Sequence, residues 1–292
     1  MSEPQSNFVE SSPRLHYLEW NPEGRETLIL LHGSSANAWW WQPLAQAIDS
    51  DRFRLLALDQ RGHGDSEWVR PAAYTPGDYA GDLARFLRSP TIRSSIKVED
   101  DRHSNERDIS RPIVIGHSMG GLSVLSFAAQ FGSQARAAIA IDVAVSSTRR
   151  RDRFMSRLKS LPTVTYPDMK TAIARFRLIP AEGEISHSIL AEIAEHSLQL
   201  TPDGSYTLKF DRESFFGGDG LDVAAAIAQT SIPTLLIRAE MSRIMTAEAS
   251  AIAAQSNPLV SLVEIPGAHH HVPLQCPEAL AKAITDFIDT LH

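Results

Sequence analysis

The apolar positions of this chain fall into two rhythms. Short continuous runs at 27–31, 53–58, 112–115, 137–141, 234–237 and 259–265 predict strands buried on both faces, as in a parallel sheet covered by helices. Residues 14–20 alternate more, and predict an antiparallel strand near the start. Between these runs, residues 41–48, 75–87, 118–131, 246–254 and 277–291 show helical spacing. Strand–helix alternation of this kind builds an α/β doubly wound sheet, and ligands of such sheets gather at the carboxyl ends of the strands.

Two segments break the alternation. Residues 90–111, PTIRSSIKVEDDRHSNERDISR, are polar and charge-mixed, and predict a partly disordered surface excursion. Residues 146–229 hold no clear strand run. They contain amphipathic stretches, RFMSRLKSL and MKTAIARFRLI, and a turn at Pro202-Asp203-Gly204. The expected organisation is a core of residues 1–145 and 230–292, with residues 146–229 inserted as a helical cap.

Composition narrows the function classes. The 292 residues carry a net charge of −7, which gives no electrostatic footprint for nucleic acid. The one basic run, Arg149-Arg150-Arg151 with Arg153, reads as a solvated helix start. Cys276 is the only cysteine, so no intramolecular disulfide and no cysteine-rich metal site is expected. The N-terminus lacks a signal-peptide core, and no apolar run approaches a membrane span. A cytoplasmic protein without metal, cofactor, membrane or nucleic-acid partner is the expectation.

The chemistry concentrates just after strand runs. GHSMGG at 116–121 crowds three glycines around Ser118, HGSS stands at 32–35, DQRGHGDS at 59–66, and PGAHHHVPLQCPE at 266–278. In this order the four motifs resemble the α/β-hydrolase superfamily over nearly the whole chain, in its capped serine-esterase form. The resemblance implies an α/β-hydrolase fold, a mostly parallel sheet flanked by helices with the helical cap inserted after strand 6. It makes Ser118 the nucleophile of a strand–turn–helix elbow, where small neighbours are needed because the backbone is strained. It also places the oxyanion beside the amides of Ser34, in a GX-type loop, and Met119.

Aligning Pro266-Gly267-Ala268 with the family's Pro-Gly-Ala-Gly-His puts His270 on the base, with His269 and His271 as neighbours. The usual acid position after the strand at 234–237 is held by Ser242, which carries no charge to steady an imidazolium. Asp142, at the end of the strand at 137–141, is the favoured replacement, and Glu240 is the alternative. DQRGHGDS lacks a full GxGxxG and a following lysine, so it reads as scaffold, with Asp59 and Arg61 holding loops. Trp39, Phe154, Phe176 and Phe215 are candidate substrate contacts, although Trp39-Trp40-Trp41 is equally explained by core packing. Phe216, Met155 and Leu158 add to the apolar character of the cap.

The expected activity is hydrolysis of a carboxylic ester or lactone of a small, largely apolar substrate through an acyl-enzyme. A carbon–carbon bond hydrolase or cofactor-free perhydrolase uses similar frames. A non-catalytic ligand receptor is the rival from another class, kept open by the vacant acid position at Ser242.

Overall fold

The computed structural model describes residues 3–96, 110–145, 149–215 and 221–291. Strands β1 (Gln5–Val9), β2 (Leu15–Trp20), β3 (Glu26–Leu31), β4 (Phe53–Leu58), β5 (Ile113–His117) and β6 (Ala137–Ile141) precede a two-stranded hairpin of β7 (Leu198–Leu200) and β8 (Tyr206–Leu208). Strands β9 (Thr234–Ala239) and β10 (Val260–Ile265) complete the main sheet. Its order is β1-β2-β4-β3-β5-β6-β9-β10. β1 and β2 run antiparallel to their neighbours and every later pair is parallel.

The continuous apolar runs of β3, β4, β5, β6 and β9 are explained by what covers them, whereas the run at 259–265, expected to be buried on both faces, forms the edge strand β10, with Ser261, Val263 and Glu264 exposed. Along β3, Leu28 and Leu30 face a layer holding Trp41, Leu44, Ile284 and Ile288, while Ile29 and Leu31 face Leu83, Phe86, Val124 and Phe127. The first layer comes from α1 (Gln42–Ala47) and the C-terminal helix, and the second from α2 (Pro76–Arg88) and α4 (Met119–Phe131), α3 (Pro90–Ser95) lying between these two in the chain. Each large side chain removed from water contributes about 1.5–3 kcal/mol, so both faces select apolar residues and the period-two alternation disappears.

After β6 the chain leaves the sheet as α5 (Arg149–Ser160), α6 (Met169–Arg175), α7 (His187–His196) and the β7–β8 hairpin. It re-enters with α8 (Val223–Gln229), whose Val223, Ala226 and Ile227 pack with Leu122 and Leu125 of α4. The core helices end with α9 (Ala247–Gln255), α10 (Val272–Gln275) and α11 (Pro277–Asp289). Backbone bonds from Gly64 to Lys209 and from Asp211 to Gly62, both 2.7 Å, tie the excursion to the DQRGHGDS loop. Asp211 also accepts from Tyr74 Oη at 2.6 Å and pairs with Arg70.

The scaffold reading of DQRGHGDS fits this geometry. Asp59 accepts from the amides of Ala38 (2.7 Å) and Asp65 (2.9 Å) and meets His16 (2.7 Å), while Arg61 forks onto Asp82 at 2.5 and 2.7 Å. The expected excursion at 90–111 begins with helix α3, and its residues 97–109 lie outside the described residues, as does Phe216. Among the described residues no helix is long and apolar enough to cross a membrane.

Candidate active site

The tips of β3, β5, β6 and β9 converge on one cavity. Ser118 follows β5 directly and precedes α4, with φ 53° and ψ −115°, a conformation unusual for any residue with a side chain. The turn holds because its neighbours have no Cβ. A Cβ on Gly116 would lie 2.2 Å from the Gly120 carbonyl oxygen, and one on Gly120 would lie 2.3 Å from that of Leu31. The elbow projects Ser118 Oγ to 3.0 Å from His270 Nε2. On the ring's far side, His270 Nδ1 lies 2.6 Å from Asp142 Oδ2. His117 Nε2, 2.7 Å from the His270 carbonyl oxygen, donates to it and fixes the histidine's backbone.

Asp142 reaches the histidine from the tip of β6, the strand between β5 and β9. Its carboxylate is fully buried. Ser242 Oγ donates to it at 2.5 Å and the Ala239 amide at 3.3 Å. The serine at the family's usual acid position therefore holds the carboxylate supplied by the neighbouring strand. Burial raises the Asp142 pKa to about 6, against the opposing pull of the Ser242 hydroxyl and the Ala239 amide. Glu240 is exposed and turns elsewhere, with Oε2 accepting from the Gly267 amide at 2.7 Å.

The loop carrying Ser34 lies against the elbow. A Cβ on Gly33 would sit 3.4 Å from that of Ser118. Met119 opens helix α4, so its amide is one of the donors that a helix leaves without an internal partner. Such amides at a helix N-terminus favour nearby negative charge.

The three consecutive histidines diverge. The His269 amide donates to Gln275 Oε1 at 2.8 Å, His270 joins Ser118 and Asp142, and His271 Nε2 donates to the Pro180 carbonyl at 2.8 Å. Burial pushes His271 down to about 4 and His117 well below the ordinary histidine value, so both are neutral near pH 7. Serine, histidine and aspartate meet a second time at Ser6, His16 and Asp59, with Ser6 Oγ 2.9 Å from His16 Nε2. That serine is exposed on the edge strand, remote in the sheet order from the tips that build the cavity.

The cavity measures about 690 Å³ out to its open mouth, and Phe154, Met155, Leu158, Ile179, Phe215 and Ile244 make its wall largely apolar. Of the aromatic candidates, Phe154 and Phe215 line it. Trp39 does not: it stacks on His196 with 3.5 Å between ring centroids, and Trp40 takes the lining position. Phe176 packs beside Trp40 and borders an adjoining chamber. Within Trp39-Trp40-Trp41, which the sequence offers equally as cavity wall or core, Trp40 is the ring that lines the cavity; Ile179 and Ile244 carry no sequence signal, because apolar residues that line a cavity and those that fill a core show the same pattern.

The sequence model of the Alpha/beta hydrolase family matches residues 28–283. This chain belongs to that family. It is similar to the 2-(acetamidomethylene)succinate hydrolase of Mesorhizobium japonicum, at 29% identity over 90% of this chain and 87% of that one. The crystal structure of an E-2-(acetamidomethylene)succinate hydrolase superposes with a TM-score of 0.80 at 27% identity, covering 98% of this chain and 100% of the other. An esterase of Mycobacterium tuberculosis is 23% identical over 90% of this chain and 83% of its own length. This α/β hydrolase thus shares its fold with proteins named as hydrolases and esterases.

Proposed function

We propose that this chain is a serine hydrolase that cleaves a carboxylic ester or lactone of a small, largely apolar substrate, with Ser118, His270 and Asp142 as its catalytic triad. The observation that carries the reading is the position of His270, within hydrogen-bond distance of both Ser118 Oγ and Asp142 at the floor of an apolar cavity. Residues 149–215 act as the cap over that cavity.

In the reaction, Nε2 of His270 takes the Ser118 proton as Oγ attacks the acyl carbonyl, while Asp142 steadies the imidazolium through Nδ1. The amides of Ser34 and Met119 stabilise the oxyanion; in related chemistry, losing one such donor costs about 10²–10³ in rate. The imidazolium then protonates the leaving alcohol. Water, activated by the same ring, releases the acid and restores Ser118.

The proton balance of the Asp142–His270 pair sets the acid limb. The carboxylate's raised value of about 6 means that Asp142 is protonated below that pH, and the imidazolium formed when His270 takes the Ser118 proton then lacks its counter-charge. Ester kcat/KM is expected to rise with pH through about 6 and then level. Ser242→Ala deletes a donor to the ionised form, which raises the carboxylate's pKa further. A hydrogen bond to a charged group is worth about 1.5–3 kcal/mol, so the acid limb moves up by about one to two pH units. A pH–rate profile of the two proteins checks the shift.

Initial rates on a panel of short-chain nitrophenyl esters, aliphatic lactones and 2-(acetamidomethylene)succinate test the substrate class. Ester or lactone turnover that disappears in Ser118→Ala supports the reading. The last compound represents a second reading, favoured by the 29% identity over most of both chains. Turnover confined to it would replace the ester assignment.

A further inference from the structure

The cavity over Ser118 adjoins a second chamber, about 590 Å³ out to its open mouth, and the two share Ser35, Trp40, Leu158, Ile179 and Phe215. The walls of this outer chamber are mostly apolar, yet two cations, Arg177 and Arg212, belong to them. Arg177 is exposed and donates to the carbonyls of its own turn, Ala174 and Phe176, at 2.9 and 2.7 Å. Arg212 is held differently. Its Nη2 donates to the Leu158 carbonyl and its guanidinium carbon lies 5.8 Å from the centre of the Phe215 ring. Its Nε is buried and meets no acceptor among the described residues.

Both acids that flank Arg212 in the chain are engaged by other cations. Asp211 pairs with Arg70, and Glu213 with Lys159 at 2.8 Å. Among the described residues no carboxylate lies within ion-pair distance of Arg212. Burial alone acts on its guanidinium, pulling its pKa below the ordinary value. A partly desolvated cation without a counter-charge is costly, and the cost is recovered when an anion arrives. The sequence of helix α5, RRRDRFMSRLKS, carries six basic residues against one acid, in a chain of net charge −7. Phe154, Met155 and Leu158 of this helix line the cavity.

We propose that the outer chamber is a carboxylate subsite anchored by Arg212, so that the preferred substrates are esters bearing a free carboxylate a few methylenes from the scissile carbonyl. This assignment rests on the hydrolase reading for the position of that carbonyl at Ser118. The Arg212 charge, without a carboxylate partner among the described residues, matches a carboxylate, and the apolar walls shared by the two chambers suit the methylenes between the two groups. Arg212 is thereby a specificity-determining residue, with Arg177 at the chamber wall reinforcing the field.

The test compares 4-nitrophenyl butyrate, which is neutral, with 4-nitrophenyl hydrogen glutarate, which adds a terminal carboxylate. For the wild type, kcat/KM for the anionic ester is expected to exceed that for the neutral one. In Arg212→Gln the anionic-to-neutral ratio falls by about ten- to a hundredfold, mainly through KM, as the loss of a charge-assisted contact requires. Arg212→Lys, which retains the charge, recovers part of the ratio, and Arg175→Gln, on the exposed side of α6, leaves it unchanged. A wild type that favours the neutral ester, or a ratio unaltered in folded Arg212→Gln, overturns the proposal.

Binding is read separately in the Ser118→Ala background, by tryptophan fluorescence during titration with monomethyl glutarate, since Trp40 borders both chambers. Saturable binding weakened at least tenfold by Arg212→Gln supports the subsite even if neither ester is turned over, an outcome that would count against the hydrolase reading alone. No binding at millimolar concentration, or binding indifferent to Arg212, removes the subsite.

Discussion

Ser118→Ala is expected to lower kcat on a nitrophenyl ester by about 10⁶-fold, the scale seen when the nucleophile of a serine triad is deleted. The substitution keeps the Cβ that the elbow already accommodates at φ 53°, so the fold and the cavity survive it. Circular dichroism and melting temperature should match the wild type. The residual turnover expected is that of the proposed oxyanion donors, the Ser34 and Met119 amides, and of substrate positioning, which outlast the nucleophile. Steady-state kinetics with extensively purified protein measures the drop. A loss smaller than tenfold would mean that another group attacks the substrate.

Asp142→Asn is expected to cost about 10⁴-fold in kcat. Asparagine occupies nearly the same volume, leaves no buried unpaired charge, and tolerates the positive φ of 45° at this position better than most residues. The damage is therefore specific. An amide NH₂ group turned toward Nδ1 would force the proton onto Nε2, the nitrogen that must accept from Ser118, and a neutral side chain gives the imidazolium no counter-charge. Glu240→Gln provides the contrast, because Glu240 holds the Gly267 amide and not the histidine. Kinetics on the two variants decide between the two acids: a large loss in Glu240→Gln with Asp142→Asn near wild type contradicts the assignment.

Much of the frame was legible in the sequence because the same cause produced both. Strands β3 to β6 and β9 are covered on two faces, so they appear as unbroken apolar runs. β1 left no such signal: QSNFV is mostly exposed on one edge of the sheet, and its pairing with β2 sets its conformation. The three-residue strands β7 and β8 were too short and too exposed to show a period, although the Pro202-Asp203-Gly204 turn between them was visible. Helix α8 falls inside the segment read as cap, yet its small apolar face packs on α4, a contact that depends on the chain's return path.

At the site, the elbow and the histidine could be placed by motif, since close packing forces Gly116 and Gly120 into a recognisable spacing. The partner of His270 was harder. Asp142 and Ser242 are a hundred residues apart in the chain, and only the adjacency of β6 and β9 brings them within 2.5 Å. Trp39 and Trp40 were indistinguishable in sequence because one residue of rotation in a short 3₁₀ turn, Ala38–Trp41, decides which ring faces the cavity. Arg212 had no signature at all. Its surroundings depend on Asp211 and Glu213 turning to Arg70 and Lys159, which only the folded chain sets.

Covalent labelling of the native protein with a fluorophosphonate, followed by peptide mass analysis, tests most directly whether these separate segments create a reactive alcohol. One equivalent of phosphonate on the peptide bearing Ser118, with labelling abolished in His270→Ala and slowed in Asp142→Asn, is the predicted result. Mapping is essential because Ser6 also faces a histidine–aspartate pair. Folded protein that stays unlabelled at Ser118, or that reacts there equally fast without His270, would contradict the account.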